Sequence, residues 1–141
     1  MSNRTRTTGI FATTILVAGL ALAGCAGTTS EPDAAGADAP LFDQLPSAIQ
    51  ESGVIRVGSD IAYAPMEYYD TDGTTVLGFD KELTDLLAEQ LGVNFEWNNA
   101  VFDSLITQLT SERIDIAISG MSDTAERQQQ IDFVDYYQAG A

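Results

Sequence analysis

The strongest periodic signal in the chain lies between Phe79 and Leu91, where Phe79, Leu83, Leu86, Leu87 and Leu91 recur at helical spacing and mark one apolar face. Asp80 and Glu82 fall in the first turn, where carboxylates suit the positive end of the helix dipole, and Gly92 follows as a stop. Phe102, Leu105, Ile106 and Leu109 mark a second amphipathic helix, expected to end near Glu112. A shorter helix is expected in LFDQLPSAIQESG, with Gly53 as its terminator. Three runs change period: VIRVGSD (Val54 to Asp60), VNFEW (Val93 to Trp97) and IDIAIS (Ile114 to Ser119) read as strands. The last is short and mostly apolar, as a buried parallel strand should be. EYYDTDGTTVLG (Glu67 to Gly78) reads as a hairpin turning at Asp72-Gly73. This order predicts an α/β fold, a short and mostly parallel sheet flanked by helices.

Ligands of such sheets bind beyond the carboxyl ends of the strands. Two loops qualify, one after Val57 and one after Ile118. In the second, Asp123 to Glu126 has the spacing of an N-cap and its N3 acid, so a new helix is expected to start there and to present free N–H groups to an anion. Arg127 lies in the next turn, and its planar fork of donors can grip a carboxylate in two places. It can equally serve to neutralise Asp123 or Glu126. Ser119 and Ser122 supply hydroxyls, and Gly120 allows close approach to the backbone. In the first loop, SDIAYAPMEY, Tyr63 can stack on a ligand or simply pack. Asp60 and Glu67 can accept from a cationic group, and Phe102 begins its helix at the same sheet edge. The hairpin does not match a calcium loop: Asp70-x-Asp72 lacks the further acids, and Lys81 stands where the closing glutamate belongs.

Composition narrows the function. The chain has 141 residues, 45% of them hydrophobic, enough for one modest domain. Twenty-one acidic residues against six basic ones argue against nucleic acid and anionic lipid as partners. Two of the six, Arg4 and Arg6, precede the apolar run Ile10 to Ala23, which has the layout of a secretion signal. That run leads into Leu22-Ala23-Gly24-Cys25, which resembles the bacterial lipobox. Residues 1–24 are therefore expected to be a signal peptide, and Cys25 a lipidated anchor. Residues 25–45 hold that cysteine and a tether rich in Ala, Gly and Pro, and residues 46–141 form the folded lobe. Cys25 is the only cysteine, which excludes a disulfide framework and a zinc knuckle.

The succession VIRVGSDIAYAPMEY, GFDKELTDLLAEQLG and FDSLITQLTSERIDIAISGMSDTAERQQQIDF, from Ser52 to Tyr137, resembles solute-binding protein family 3, the amino-acid-binding receptors of bacterial ABC importers. Lys81 and Met66 depart from the residues usual at their places. The resemblance implies a periplasmic-binding-protein-like first lobe, with the chain stopping at YYQAGA, where the crossover to a second lobe is expected. It implies Tyr63 and Phe102 sandwiching the ligand side chain and Asp60 toward that side chain's end. It implies the Gly120 carbonyl and the Ser122 hydroxyl and N–H on the α-amino and α-carboxylate groups, with Arg127 on the α-carboxylate. Ser119 and Met121 complete the expected ligand-binding set. No metal, cofactor or nucleic acid is expected. The expected partners are an amino acid, polar or cationic ones being mildly favoured, permease subunits, and the cell membrane through the lipid, on the extracytoplasmic side. Similar scaffolds also carry cyclohexadienyl dehydratases, modules of lytic transglycosylases and kinase sensors. The chain has no histidine and no evident isolated carboxylate pair for acid catalysis, and the lipobox disfavours a sensor.

Overall fold

The computed structural model describes residues 36–138. The expected signal peptide and the expected lipidation site at Cys25 lie outside the described residues. Among those described, no helix is long and apolar enough to cross a membrane, and no group of three or more acidic, histidine or cysteine side chains is placed to hold a metal ion.

The first predicted helix is split. Phe42–Gln44 form a 3-10 turn, and α1 (Ser47–Ser52) starts only after Pro46, which has no N–H to carry a helix through. Gly53 closes α1 with its N–H on the Ile49 carbonyl. Next come β1 (Val54–Ser59), β2 (Ala62–Tyr63), β3 (Glu67–Tyr69), β4 (Val76–Leu77) and α2 (Phe79–Leu91). β5 (Asn94–Asn99), α3 (Leu105–Thr110) and β6 (Ile116–Ala117) complete the elements.

β1 is the centre of a parallel sheet of order β5-β1-β6. It pairs with β5 from Val54↔Asn94 to Ser59↔Asn99, and with β6 at Val57↔Ile116 and Gly58↔Ala117. Side chains alternate across a strand, so β1 is covered on both faces. On one face Ile55 packs with Phe42 and Val93, joined by Leu45, Ile49, Leu91 and Phe95. On the other, buried Gly58 leaves room for Leu105 and Ile114; a Cβ on Gly58 would come within 2.4 Å of Ile114 Cδ1. A separate antiparallel sheet, β2-β3-β4, carries the predicted hairpin and adds β2 from what reads as loop. Its turn is tied by Asp72, whose Oδ1 accepts from the N–H groups of Thr74 and Thr75 at 2.8 Å each.

Four boundaries differ from the sequence reading, three of them for a visible reason. The third strand contracts from Ile114–Ser119 to Ile116–Ala117 because the Asp115 carboxylate takes over at its entrance. It accepts from the Arg56 N–H at 2.7 Å and from the Arg56 guanidinium at 2.6 and 3.0 Å. The second helix opens with a 3-10 turn, Phe102–Ser104, and stops at Thr110, since Glu112 adopts a left-handed φ of 57°. The second strand starts one residue later than expected and runs on to Asn99. The helix expected at Asp123 is replaced by a 3-10 turn, Arg127–Gln129. Asp123 accepts from the Gln128 side chain instead of capping, and the exposed run of glutamines has no apolar face to bury.

α2 has the predicted bounds but an unexpected interior. Its fully buried residues are Asp80 and Thr84, while Phe79 and Leu86 remain 46% and 62% exposed. Leu83 and Leu87 face a trough shared with Leu109, Ile116 and Phe133.

Candidate functional site

The carboxyl ends of β1, β5 and β6 converge, and the chain leaves each through a short loop. Side chains from one loop fasten the next. Ser119 Oγ accepts the Asp60 N–H at 3.0 Å, and the Asn99 side-chain carbonyl accepts the Ile61 N–H at 3.1 Å. Asp60 Oδ2 accepts the Phe102 N–H at 3.2 Å. Asp60 thereby seats the Phe102 turn with one oxygen, and Oδ1 is left without a protein partner among the described residues.

Around these loops lies a cavity of about 290 Å³ lined by Asp60, Ala62, Tyr63, Phe102, Ser119 and Gly120. It is close to the lower end of volumes that hold small ligands. Tyr63 and Gly120 also wall a wider cleft of about 760 Å³, which continues along Met121, Ser122 and Asp123 to the 133–138 segment. Gly120 has a φ of 56°, a left-handed conformation that turns the chain after β6 toward the cleft. The half-exposed Tyr63 ring lies beside it.

Arg127 lies in the segment that follows Gly120, in the turn Arg127–Gln129. It forms no ion pair with Asp123 or Glu126; the ion pairs among the described residues are Arg56–Asp115 and Lys81–Asp85. Instead Nη1 donates to the Ser122 carbonyl at 2.9 Å, and Cζ lies 5.5 Å from the centroid of the Phe102 ring. A guanidinium held over an aromatic face is attracted to it and still has donors to spare. The helix N-terminus expected beside it is replaced by the 3-10 turn Arg127–Gln129.

Of the eight expected site residues, Asp60, Tyr63, Phe102, Ser119 and Gly120 line one cavity. Met121 and Ser122 line the adjoining cleft, and Arg127 stacks on Phe102. Ser119 is nearly buried, and its hydroxyl is already engaged, donating to Glu67 Oε1 at 2.8 Å. Glu67 itself is fully buried, so it is no acceptor for a ligand in the cleft.

Beneath Ser119 lies a cluster that sequence reasoning missed. Glu67 and Asp80 are both fully buried, and Tyr136 donates its hydroxyl to Asp80 Oδ2 at 3.0 Å. Burial pushes the Glu67 carboxyl up to about 8, with Asp80 adding to the rise and the Ser119 hydroxyl opposing it. Asp80 is also raised by burial, against the hydrogen bond from Tyr136. Burial, with the nearby Asp80 charge second, raises the Tyr136 phenol. A signal was present: Asp80 and Thr84 stand four apart on α2, a polar pair beside the leucine face.

A parallel sheet with a cleft at its carboxyl edge, walled by aromatic rings, one of which carries an arginine over its face, defines a lobe of the periplasmic-binding-protein kind. Residues 55–141 match the family "Bacterial extracellular solute-binding proteins, family 3", and the chain belongs to it. It is similar to the arginine-binding extracellular protein ArtP of Bacillus subtilis (strain 168), 42% identical over 62% of this chain and 34% of that one. Among solved structures it is similar to the arginine-bound form of domain 1 from TmArgBP, at 35% identity and a TM-score of 0.61. That match covers 64% of this chain and 71% of the other. It is also similar to an ancestral cyclohexadienyl dehydratase, at 38% identity and a TM-score of 0.60, over 64% of this chain and 37% of the other. The chain spans less than half the length of the curated relatives it matches.

Proposed function

We propose that the protein is the substrate-binding component of an ABC importer, tethered outside the cytoplasm by lipid on Cys25, and that residues 46–141 form the lobe that receives an amino acid. The observation that carries this reading is the cavity of Tyr63, Phe102, Asp60 and Gly120, with the Arg127 guanidinium over the Phe102 ring. In this reading Arg127 grips the α-carboxylate with the donors not spent on Ser122. The Gly120 carbonyl and Ser122 meet the α-amino and α-carboxylate groups, with Ser119 and Met121 flanking them. Tyr63 and Phe102 hold the side chain between them, and Asp60 Oδ1 faces its far end. A cationic side chain fits best, because Asp60 supplies an acceptor and the protein as a whole is acidic. ArtP and the TmArgBP domain, named for arginine, support that choice. The latter also supports binding by a single lobe.

Titration calorimetry of L-arginine, L-lysine, L-glutamine and L-glutamate tests the reading. L-Arginine is expected to bind most tightly, and Arg127→Ala is expected to weaken binding of every amino acid that binds, by about 2–5 kcal/mol, since the carboxylate loses its charged partner. A loss below about threefold, roughly 0.7 kcal/mol, for all of them would remove Arg127 from the site. For the anchor, Cys25→Ala is expected to move the protein from the membrane fraction to the soluble one. Continued sedimentation with membranes would contradict lipidation.

A further inference from the structure

The buried carboxyl pair beneath the cleft has a hydrogen-bond inventory that does not close without an extra proton. Glu67 Oε1 accepts a hydrogen bond from Ser119, and Asp80 Oδ2 accepts one from Tyr136. The two remaining oxygens, Glu67 Oε2 and Asp80 Oδ1, are buried and have no other donor. The Asp80 N–H donates to the Met66 carbonyl at 2.9 Å, which brings the two carboxyls together, and each shifts the other. Ionised carboxylates only accept, so with both ionised these two buried oxygens stay without a donor, and a proton on one carboxyl supplies the missing donor. The surroundings favour this outcome. Asp60 from the loop after β1 faces Glu67, while Tyr136 and Tyr137 from the C-terminal segment and Ser119 from the loop after β6 close the rest. Among the described residues, no lysine or arginine acts on either carboxyl.

On the side of the Asp60 loop, the pair is joined to the ligand cleft by the Ser119 hydroxyl. The Ser119 hydroxyl donates a hydrogen bond to Glu67, and its oxygen accepts the Asp60 N–H. Hydrogen bonds thus run from Asp60 through Ser119 to Glu67 on one side of the pair and from Tyr136 to Asp80 on the other, and a proton shared by the pair would join them. Joined in this way, they bind together the loops after β1 and β6, the hairpin, the start of α2 and the C-terminal segment. We propose that Glu67 and Asp80 share one proton and are positioning residues of the cleft: with the proton present, Ser119 holds the Asp60 loop and the Gly120 turn in register, and without it two buried anions drive the hairpin and α2 apart. This deepens the binding function proposed above and rests on it for the ligand readout alone.

Three measurements on the purified full chain test it. Infrared difference spectroscopy near pH 6 is expected to show the carbonyl stretch of a neutral buried carboxylic acid, absent from Glu67→Gln; its absence from the parent protein overturns the shared proton. Hydrogen exchange tests the positioning without a ligand. Protection of the Asp60 amide, relative to the Ala100 amide on the Ser59 carbonyl, is expected to fall about tenfold or more as pH rises through about 8. In Glu67→Gln, whose amide can donate to Asp80 and accept from Ser119 at any pH, the ratio is expected to stay constant. A constant ratio in the parent protein, or a pH-dependent one in Glu67→Gln, overturns the proposal. Finally, L-arginine affinity is expected to weaken over the same pH range in the parent but not in Glu67→Gln. Affinity that holds steady while protection falls refutes positioning of the site. No arginine binding at any pH contradicts the proposed function, and the first two measurements then decide the proton.

Discussion

At the scale of single residues, the cleft depends on a few side chains that each do two things. Asp60 seats the Phe102 turn with one carboxylate oxygen and leaves the other toward the cavity. Arg127 is fixed by the Ser122 carbonyl and the Phe102 ring, which removes most of the rotamer freedom that ligand capture would otherwise cost. Gly120 is the residue with least latitude. Its φ of 56° already disfavours a side chain, and a Cβ there would stand 3.2 Å from both Tyr137 Oη and Tyr63 Cε1. Gly120→Ala is therefore expected to lose about 1–2 kcal/mol through left-handed strain alone. It should also weaken amino-acid binding by pushing Tyr63 out of place. Urea unfolding reads the first effect as a lower midpoint at unchanged slope, and calorimetry reads the second. Unchanged stability and affinity would mean that neither the turn nor the Tyr63 wall is as constrained as the contacts imply.

At the scale of elements, long periodic segments were legible in the sequence and short ones were not. α2 was readable to the residue because five apolar positions repeat over three turns and Gly92 ends them. β6 was overestimated because apolar composition does not reveal that a carboxylate will replace the ladder; the partner, Arg56, lies 59 positions away. The helix at Asp123 was expected from spacing that can equally form a local side-chain bond, and a cap without an apolar face does not make a helix. The Glu67–Asp80 pair was hidden for a related reason. Asp80 has an ordinary surface role available at a helix start, and its burial follows only from the hairpin folding back over α2. The backbone shows that folding back: the Asp80 N–H donates to the Met66 carbonyl at 2.9 Å. The clustering of Asp60, Tyr63, Phe102, Ser119 and Gly120 around one cavity, by contrast, was legible because they stand in the loops that leave the carboxyl ends of the sheet, where its topology gathers them.

At the scale of the whole molecule, charge and buried acids act on stability in the same direction above mildly acidic pH. Asp115 is held below the usual carboxylate range by its hydrogen bonds with Arg56, and Asp72 is held down to about 2 by its bonds with Thr75 and Thr74. Groups with lowered values contribute stability above their unfolded value and lose it as pH falls, so both favour the fold from about pH 4 upward. Glu67, raised from 4.5 to about 8, has the opposite sign. Its contribution is complete below its unfolded value and is lost as pH rises through about 8. Asp80 shifts in the same direction. Ionisation of the remaining acids adds self-repulsion in a chain of formal charge −15. The rising and falling limbs meet in the ordinary carboxylate range, so the thermal midpoint is expected to peak at about pH 4–5 and to decline toward pH 8, rather than to plateau near neutrality as is common. Added salt should relieve the part due to surface repulsion and leave the part due to the buried pair, because a Debye screen does not reach a proton shared inside the fold. Scanning calorimetry across pH at low and at high salt separates the two. A midpoint that rises from pH 5 to pH 8 would contradict both contributions, whereas a decline abolished entirely by salt would assign it to the surface and count against a titrating Glu67–Asp80 pair.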